Sequence, residues 1–136
     1  MYLKPAQVVS PKDKIRNIKP IVDRGEREHS LALLTWDNTN VLAIRWNGSD
    51  AHPGNPQSHG LPTWFILPDE LVLPILKAMY ADENLIGGED IDKDVAKEFV
   101  SEEIKRLEGA APKLDESQLE SAIIRVITRM KVEGKI

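Results

Sequence analysis

The chain has 136 residues and a formal net charge of −4, with 41% hydrophobic and 29% charged residues, values typical of a globular domain. It contains no cysteine, which excludes disulfides, a thiolate nucleophile and a sulfur-ligated metal site. Neither a signal peptide nor a run of roughly 18 apolar residues is present, so we expect a cytoplasmic protein with no membrane partner. We expect a single domain over 1–136, with a sheet-forming half at 1–68 and a helical half at 69–136.

The charge is divided unevenly along the chain. Residues 1–66 carry eight Lys and Arg against six Asp and Glu, whereas residues 67–136 carry ten basic and sixteen acidic residues. A polyanionic partner would therefore approach the N-terminal half.

The first half of the chain has the pattern of β-strands. Residues 6–9 and 15–22 favour two short strands, and the runs 29–36 and 41–47 flank a turn, which predicts a β-hairpin. A short loop centred on residues 38–39 places Trp36 opposite Val41. Because side chains alternate across a strand, one face is then a core face. That face carries Leu31, Leu33, Thr35, Leu42, Ile44 and Trp46.

The other face of the hairpin is apolar but contains a cation. It carries Ala32, Leu34, Trp36, Val41, Ala43 and Arg45. We expect its own subunit to leave this face uncovered, so that a homodimer forms across it or a single-stranded nucleic acid stacks on Trp36 beside Arg45. The alternative is that the C-terminal helices cover it.

The second half has the pattern of helices. A short strand at 62–68 precedes a helix at 69–81, in which Pro74 marks either a kink or the true beginning. Further amphipathic helices are predicted at 92–108 and 115–133. The predicted fold is α+β: an antiparallel sheet of four or five strands in the N-terminal half, packed against the 69–81 helix and two C-terminal amphipathic helices.

The segment 48–62 joins two strands without a strand or helix pattern of its own. A loop of this length in a compact domain is usually functional or disordered, and three prolines and three glycines favour a fixed shape. The alternative is a surface connection without a function. The loop and the second hairpin face together supply the candidate binding residues, which are Trp36, Arg45, Asn47, Asn55, Gln57, Ser58, His59 and Trp64.

The same loop offers an enzymatic alternative. Ser58 and His59, with Asp50, have the residue types of a hydrolase site, but adjacent residues in an extended chain point to opposite sides. No G-x-S-x-G turn is present, so we assign no catalytic residue.

Metal and cofactor motifs are also missing from the sequence. The seven-residue spacing of His52 and His59 matches no ligand pattern. Residues 90–94 resemble the start of a calcium loop, but Val95 and Ser101 occupy the positions that require glycine and glutamate. We therefore expect no metal site and no cofactor.

The order of parts over residues 30–80 resembles a known family. The parts are Thr35-Trp36, a tight turn, Ile44-Arg45-Trp46, a loop from Pro53-Gly54 to Gly60, Phe65-Ile66-Leu67 and Pro68-Asp69-Glu70-Leu71. This order is similar to that of the transcriptional coactivator family called positive cofactor four, which binds single-stranded DNA. The resemblance implies a dimeric sheet protein with Trp36, Arg45 and the loop at its binding surface. The chain is also similar to small, uncharacterised bacterial proteins of integron gene cassettes.

These observations give two hypotheses for function. The first is a non-enzymatic binding or assembly module that self-associates, as a homodimer, and binds single-stranded nucleic acid on its sheet face. The alternative is a small-molecule-binding protein or a hydrolase with its site in loop 48–62.

Overall fold

The computed structural model describes residues 2–110 and, after them, residues 124, 127 and 129. Within this part the fold is α+β, with a five-stranded sheet, a separate two-stranded ribbon and two α-helices. The elements are β1 (Ile15–Asp23), β2 (His29–Trp36), β3 (Thr39–Trp46), β4 (Gln57–Ser58), β5 (Leu61–Pro62), β6 (Phe65–Ile66), α1 (Asp69–Ala81), β7 (Gly87–Gly88) and α2 (Lys93–Ala110).

The chain divides into two compact units, Met1–Lys105 and Arg106–Ile136. Of the elements in the described residues, the first unit contains β1 to β7 and α1. In the second unit, the described residues Ile124, Ile127 and Arg129 are helical. The rest of the predicted 115–133 helix lies outside the described residues, so that helix stays a prediction.

The main sheet has the order β6-β3-β2-β1-β7 and is mixed. Its first four strands are antiparallel, as expected, but β7 pairs with β1 in the parallel direction. The prediction of an entirely antiparallel sheet is therefore wrong at this edge. Two glycines form β7, and a Cβ on Gly88 would overlap the carbonyl oxygen of Asp23. Glycine permits this close approach because it has no side chain. For the same reason, two glycines show no alternation of apolar and polar residues, so the sequence does not predict a strand here.

The predicted β2–β3 hairpin is confirmed, although its register is not. Asp37 and Asn38 form a two-residue turn with φ values of 50° and 65°, as a type I′ turn requires. Trp36 consequently pairs with Thr39 instead of Val41. Since the error is two residues, and side chains alternate with a period of two, the assignment of residues to faces is unchanged.

The expectation that the second hairpin face is left uncovered is wrong. Residues of the same unit cover it, with Val8 from the N-terminal segment and Trp64 from the segment before β6. The Trp64 indole N–H donates to the carbonyl oxygen of Val8 at 2.9 Å and so joins the two covering segments. The buried cluster comprises Val8, Ile15, Ala32, Leu34, Val41, Ala43 and Trp64.

The first hairpin face is a core face for most of its length. Leu31, Leu33 and Leu42 are buried there, as predicted, and α1 contacts β3. Trp46, however, is 57% exposed. It is the last residue of β3, and its exposure contradicts its assignment to the core.

Both α1 and α2 begin close to their predicted positions. The 69–81 helix is confirmed, and it runs through Pro74, which therefore does not mark its beginning. Asp92 caps α2, since its carboxylate accepts hydrogen bonds from the backbone N–H groups of Asp94 and Val95 at 2.9 and 3.1 Å. The helix continues through Gly109 to Ala110, beyond the predicted stop.

Candidate functional site

A cavity of about 290 Å³ lies where β3 ends, between the loop after β3 and strand β6. We call it the aromatic groove, because the side chains of Trp46 and Phe65, each 57% exposed, are among those that line it. The lining residues are Ile44, Arg45, Trp46, Asn55, Pro56 and Phe65.

The backbone of β3 positions both sides of the aromatic groove. Ile44 pairs with Phe65 of β6, and alternation along β3 places Trp46 on the same face as Ile44. On the other side, Trp46 and Asn55 exchange two backbone hydrogen bonds of 2.7 and 3.0 Å. The ring of His29 meets the Trp46 indole edge-on at 6.2 Å. Backbone pairing of β3 with β6 and with Asn55 thus fixes the positions of the residues that line the groove.

The loop 48–62 has more regular structure than its sequence predicts. Strands β4 and β5 form a small ribbon, in which Ser58 pairs with Leu61. His59 and Gly60 make the turn with φ values of 52° and 79°, the positive values that a two-residue hairpin turn needs. The prediction of a fixed shape agrees with this ribbon, whereas the prediction of no strand is wrong.

Arg45 fastens this loop to β3 at two points, one at Pro53 within the loop and one at Thr63 just after it. Its Nη1 donates to the carbonyl oxygen of Thr63 and its Nη2 to that of Pro53. The side chain is only 2% exposed, and burial lowers the pKa of Arg45 to about 10. We expected Arg45 to be a cation on an open sheet face. It is instead buried, and its hydrogen bonds hold the loop in place.

Asn47 belongs to a buried polar network that the sequence did not reveal. Its side-chain amide donates to Asp23 Oδ1 at 3.0 Å and to the carbonyl oxygen of Gly25 at 2.8 Å, and it accepts from the Ser30 hydroxyl at 2.8 Å. The Tyr2 hydroxyl donates to Asp23 Oδ2 at 2.8 Å. Burial, and then this hydrogen bond to Asp23, raise the pKa of Tyr2 to about 12. Asn47 thus holds the turn after β1 to the end of β3.

The predicted binding residues are scattered by the fold. Trp64 is buried and Trp36 is half-buried, both with the second hairpin face. Gln57, Ser58 and His59 are exposed on the β4–β5 ribbon, and Gln57 Nε2 donates to the carbonyl oxygen of Gly54 at 3.1 Å.

Of the eight residues, the structure brings Arg45 and Asn55 together in the aromatic groove. The groove also contains Trp46 and Phe65, for which the sequence pattern predicts a core position and a position in a strand. Trp46 and Phe65 are exposed because they lie at the ends of paired strands. This position depends on the pairing of β6 with β3.

The hydrolase alternative finds no assembled site in the structure. Ser58 and His59 are both exposed, and neither side chain makes a hydrogen bond within the part of the chain that the structure describes. Nδ1 of His52 accepts from the backbone N–H of Gly54 at 2.9 Å, which is a contact internal to the loop. Over the described residues, no group of three or more His, Asp or Glu is placed to hold a metal ion.

Comparison with known proteins adds no relative. No family model matches the chain, and neither a curated protein nor a solved structure is similar enough to count as a match. Among the helices in the described ranges, none combines the length and the apolar character needed to cross a membrane.

Proposed function

We propose that the chain is a non-enzymatic binding module whose contact site is the aromatic groove. In this proposal, Trp46 and Phe65 hold an aromatic or aliphatic group of the ligand between them. One observation carries the proposal: two aromatic side chains remain more than half exposed while lining a cavity of about 290 Å³. Ligand sites are typically concave and lined by apolar and aromatic side chains with a few polar groups.

The size of the aromatic groove suits one ring with a substituent. An apolar cavity of about 150 Å³ is sufficient to bind benzene. Covering Trp46 and Phe65 would remove apolar surface from water at about 25 cal/mol per Å². Aromatic side chains also lose little conformational entropy on binding, because they have two rotatable side-chain bonds. Both effects favour a ligand that contacts the groove through an apolar group.

The charges around the groove disfavour a polyanion. Of the six described residues that line it, Arg45 alone is charged, and its two Nη atoms already donate to carbonyl oxygens. Nucleic-acid binding draws most of its affinity from exposed cations against phosphate. Single-stranded nucleic acid therefore stays a prediction, to which the groove contributes ring surfaces for stacking but no exposed cation.

A titration with benzamide, a neutral aromatic probe, tests this proposal. Trp46 is the most exposed of the three tryptophans, so we expect saturable change in tryptophan fluorescence with a dissociation constant in the millimolar range or below. Phe65→Ala should weaken the binding about tenfold, since it removes one wall and leaves Trp46 as reporter.

Leu85→Ala is the matched control for this titration. Leu85 is also an exposed apolar residue, 44% exposed, but it lies outside the groove, and we expect its replacement to leave benzamide binding unchanged. Equal binding by the Phe65 and Leu85 variants would place the probe elsewhere on the surface and contradict the proposal.

Self-association is a second candidate function, favoured by a separate observation. Leu61 on the β4–β5 ribbon is 55% exposed, and with Trp46 and Phe65 it adds a third large apolar side chain within 20 residues of sequence. Exposed apolar patches mark protein interaction sites, and aromatic residues are enriched at protein interfaces. A two-fold dimer would cover the same patch on both copies.

Light scattering distinguishes this second candidate. A homodimer through the groove predicts twice the mass of one chain, and Phe65→Glu should halve that mass while Leu71→Glu, at another exposed apolar position, should not. A wild-type protein with the mass of a single chain at high micromolar concentration would exclude this candidate.

A further inference from the structure

The aromatic groove is an uncharged site, although Arg45 is among the residues that line it. Side chains alternate along β3, so the Arg45 side chain lies on the opposite face from Ile44 and Trp46. It is buried there, and its guanidinium donates to the carbonyl oxygens of Thr63 and Pro53. The other lining side chains are neutral, and the surface that the groove presents is almost wholly apolar. A charged group on the ligand would therefore find no partner in the groove.

Two polar side-chain groups at the groove still require partners. Neither the indole N–H of Trp46 nor the side-chain amide of Asn55 makes a hydrogen bond within the part of the chain that the structure describes. A ligand that covers these groups removes water from them, and a buried N–H group without an acceptor is unfavourable. The ligand must therefore bring neutral hydrogen-bond acceptors as well as apolar surface.

The backbone beside the groove disfavours a peptide ligand that binds as a strand or as a helix. Strand β6 is the edge of the sheet at this point, but it has only two residues, so it offers few backbone groups to an added strand. A helical ligand docks through anchors spread over about two turns. The groove is instead a single cavity of about 290 Å³ at the end of β3.

A segment in the polyproline II conformation meets all of these requirements. Its proline rings are apolar and compact, and the groove is larger than the ~150 Å³ cavity that holds benzene, which leaves room for two rings. Its backbone carbonyl oxygens are free acceptors, because this helix has no internal hydrogen bonds. Proline also has no backbone N–H that would need a partner. Grooves lined by aromatic side chains are a recurring site for such segments.

We infer that the aromatic groove binds a proline-rich segment of another protein in the polyproline II conformation, with proline rings packed against Trp46 and Phe65. Carbonyl oxygens of the segment accept hydrogen bonds from the Trp46 indole and the Asn55 amide. The chain itself has no two prolines in succession, so the segment belongs to a different protein. This inference rests on the proposed function, because it names the partner class of the same groove.

Blocked hexaproline is the probe for this inference, and a blocked hexapeptide of alternating glycine and serine is its control. Both peptides are neutral and have backbone carbonyl groups, but only hexaproline has rings and a preformed polyproline II helix. Titrations of the full chain, followed by two-dimensional amide NMR, should give a dissociation constant at least about tenfold lower for hexaproline. The largest shift changes should fall on Trp46, Asn55 and Phe65.

The titrations also separate this inference from the proposed function. Equal dissociation constants for the two peptides, or binding of benzamide without binding of hexaproline, would overturn the inference and leave the proposed function in place. Absence of binding by both benzamide and hexaproline would overturn the two together.

Two variants form the second arm of the experiment. Trp46→Phe keeps an aromatic ring and removes the indole N–H, and we expect hexaproline to bind at least about threefold more weakly to it. Phe65→Ala removes one wall and should weaken binding about tenfold, whereas Leu85→Ala, outside the groove, should leave it unchanged. Binding unaffected by Phe65→Ala would place the peptide elsewhere, and binding unaffected by Trp46→Phe would remove the indole hydrogen bond. Either result contradicts the inference.

Discussion

Replacing Gly54 by alanine should lower the free energy of unfolding by about 3 kcal/mol or more and abolish binding in the aromatic groove. Gly54 has a φ of +83° and lies against β3. A Cβ at this position would overlap the carbonyl oxygen of Trp46 and lie 2.5 Å from Arg45 Nη2. The loop would have to move away from both, and the Arg45 contact with Pro53 and the pairing of Trp46 with Asn55 would be lost.

Gly60→Ala is the matched control for this variant. Gly60 has a similar φ of +79° in the turn of the β4–β5 ribbon, but a Cβ there would meet nothing within 4 Å. We expect a loss of about 1 kcal/mol, which is the cost of a left-handed conformation alone. Urea denaturation of both variants measures the difference. Similar losses for Gly54→Ala and Gly60→Ala would show that the close approach of the loop to Arg45 does not stabilise the fold.

Replacing Asp23 by alanine should destabilise the protein by about 3 kcal/mol or more. The Asp23 carboxylate is 1% exposed and accepts hydrogen bonds from the Tyr2 hydroxyl, the Asn47 amide and the backbone N–H of Gly25, the last at 3.0 Å. Alanine would leave these donors without their acceptor, at about 1–3 kcal/mol for each group that stays buried. Thermal or urea unfolding measures the loss.

Tyr2→Phe serves as the comparison for Asp23→Ala. It removes one donor at the edge of the network and keeps the carboxylate bonded to Asn47 and Gly25. We expect a loss of about 1 kcal/mol. If Asp23→Ala were no more destabilising than Tyr2→Phe, the network around Asn47 would contribute little to holding the turn after β1.

Local sequence patterns were sufficient to predict the faces of the hairpin and the positions of α1 and α2. Alternation in 29–36 and 41–47 assigns side chains to faces whether or not the register is known, and Asp92 caps α2 through contacts two and three residues away. These features depend on residues that are close in sequence, so a single sequence is sufficient to predict them.

The cover of the second hairpin face depends on residues distant in sequence. Val8 and Trp64 meet over this face although 56 positions separate them. The pattern of residues 6–9 predicts a strand, but a short 3₁₀ helix at Pro5–Gln7 precedes Val8, which packs onto the sheet. Nothing in the local pattern distinguishes this cover from a C-terminal helix or a second subunit.

The aromatic groove could not be predicted for a related reason. The alternation of β3 places Trp46 on the core face, and only the end of the strand leaves it exposed. The position of Phe65 follows from its pairing with Ile44, which a two-residue strand does not reveal in the sequence. The sequence indicates loop 48–62 as a candidate site, but the roles of its residues depend on where Arg45 fastens it.

Trp46 and Phe65 form the proposed contact site of this protein. The most direct measurement is the map of amide chemical-shift changes when benzamide is added to the full chain. We predict that the largest changes fall on Trp46, Asn55 and Phe65, which line the groove. Changes centred instead on the exposed apolar residues Tyr80 and Leu85, or no saturable change at all, would contradict the account.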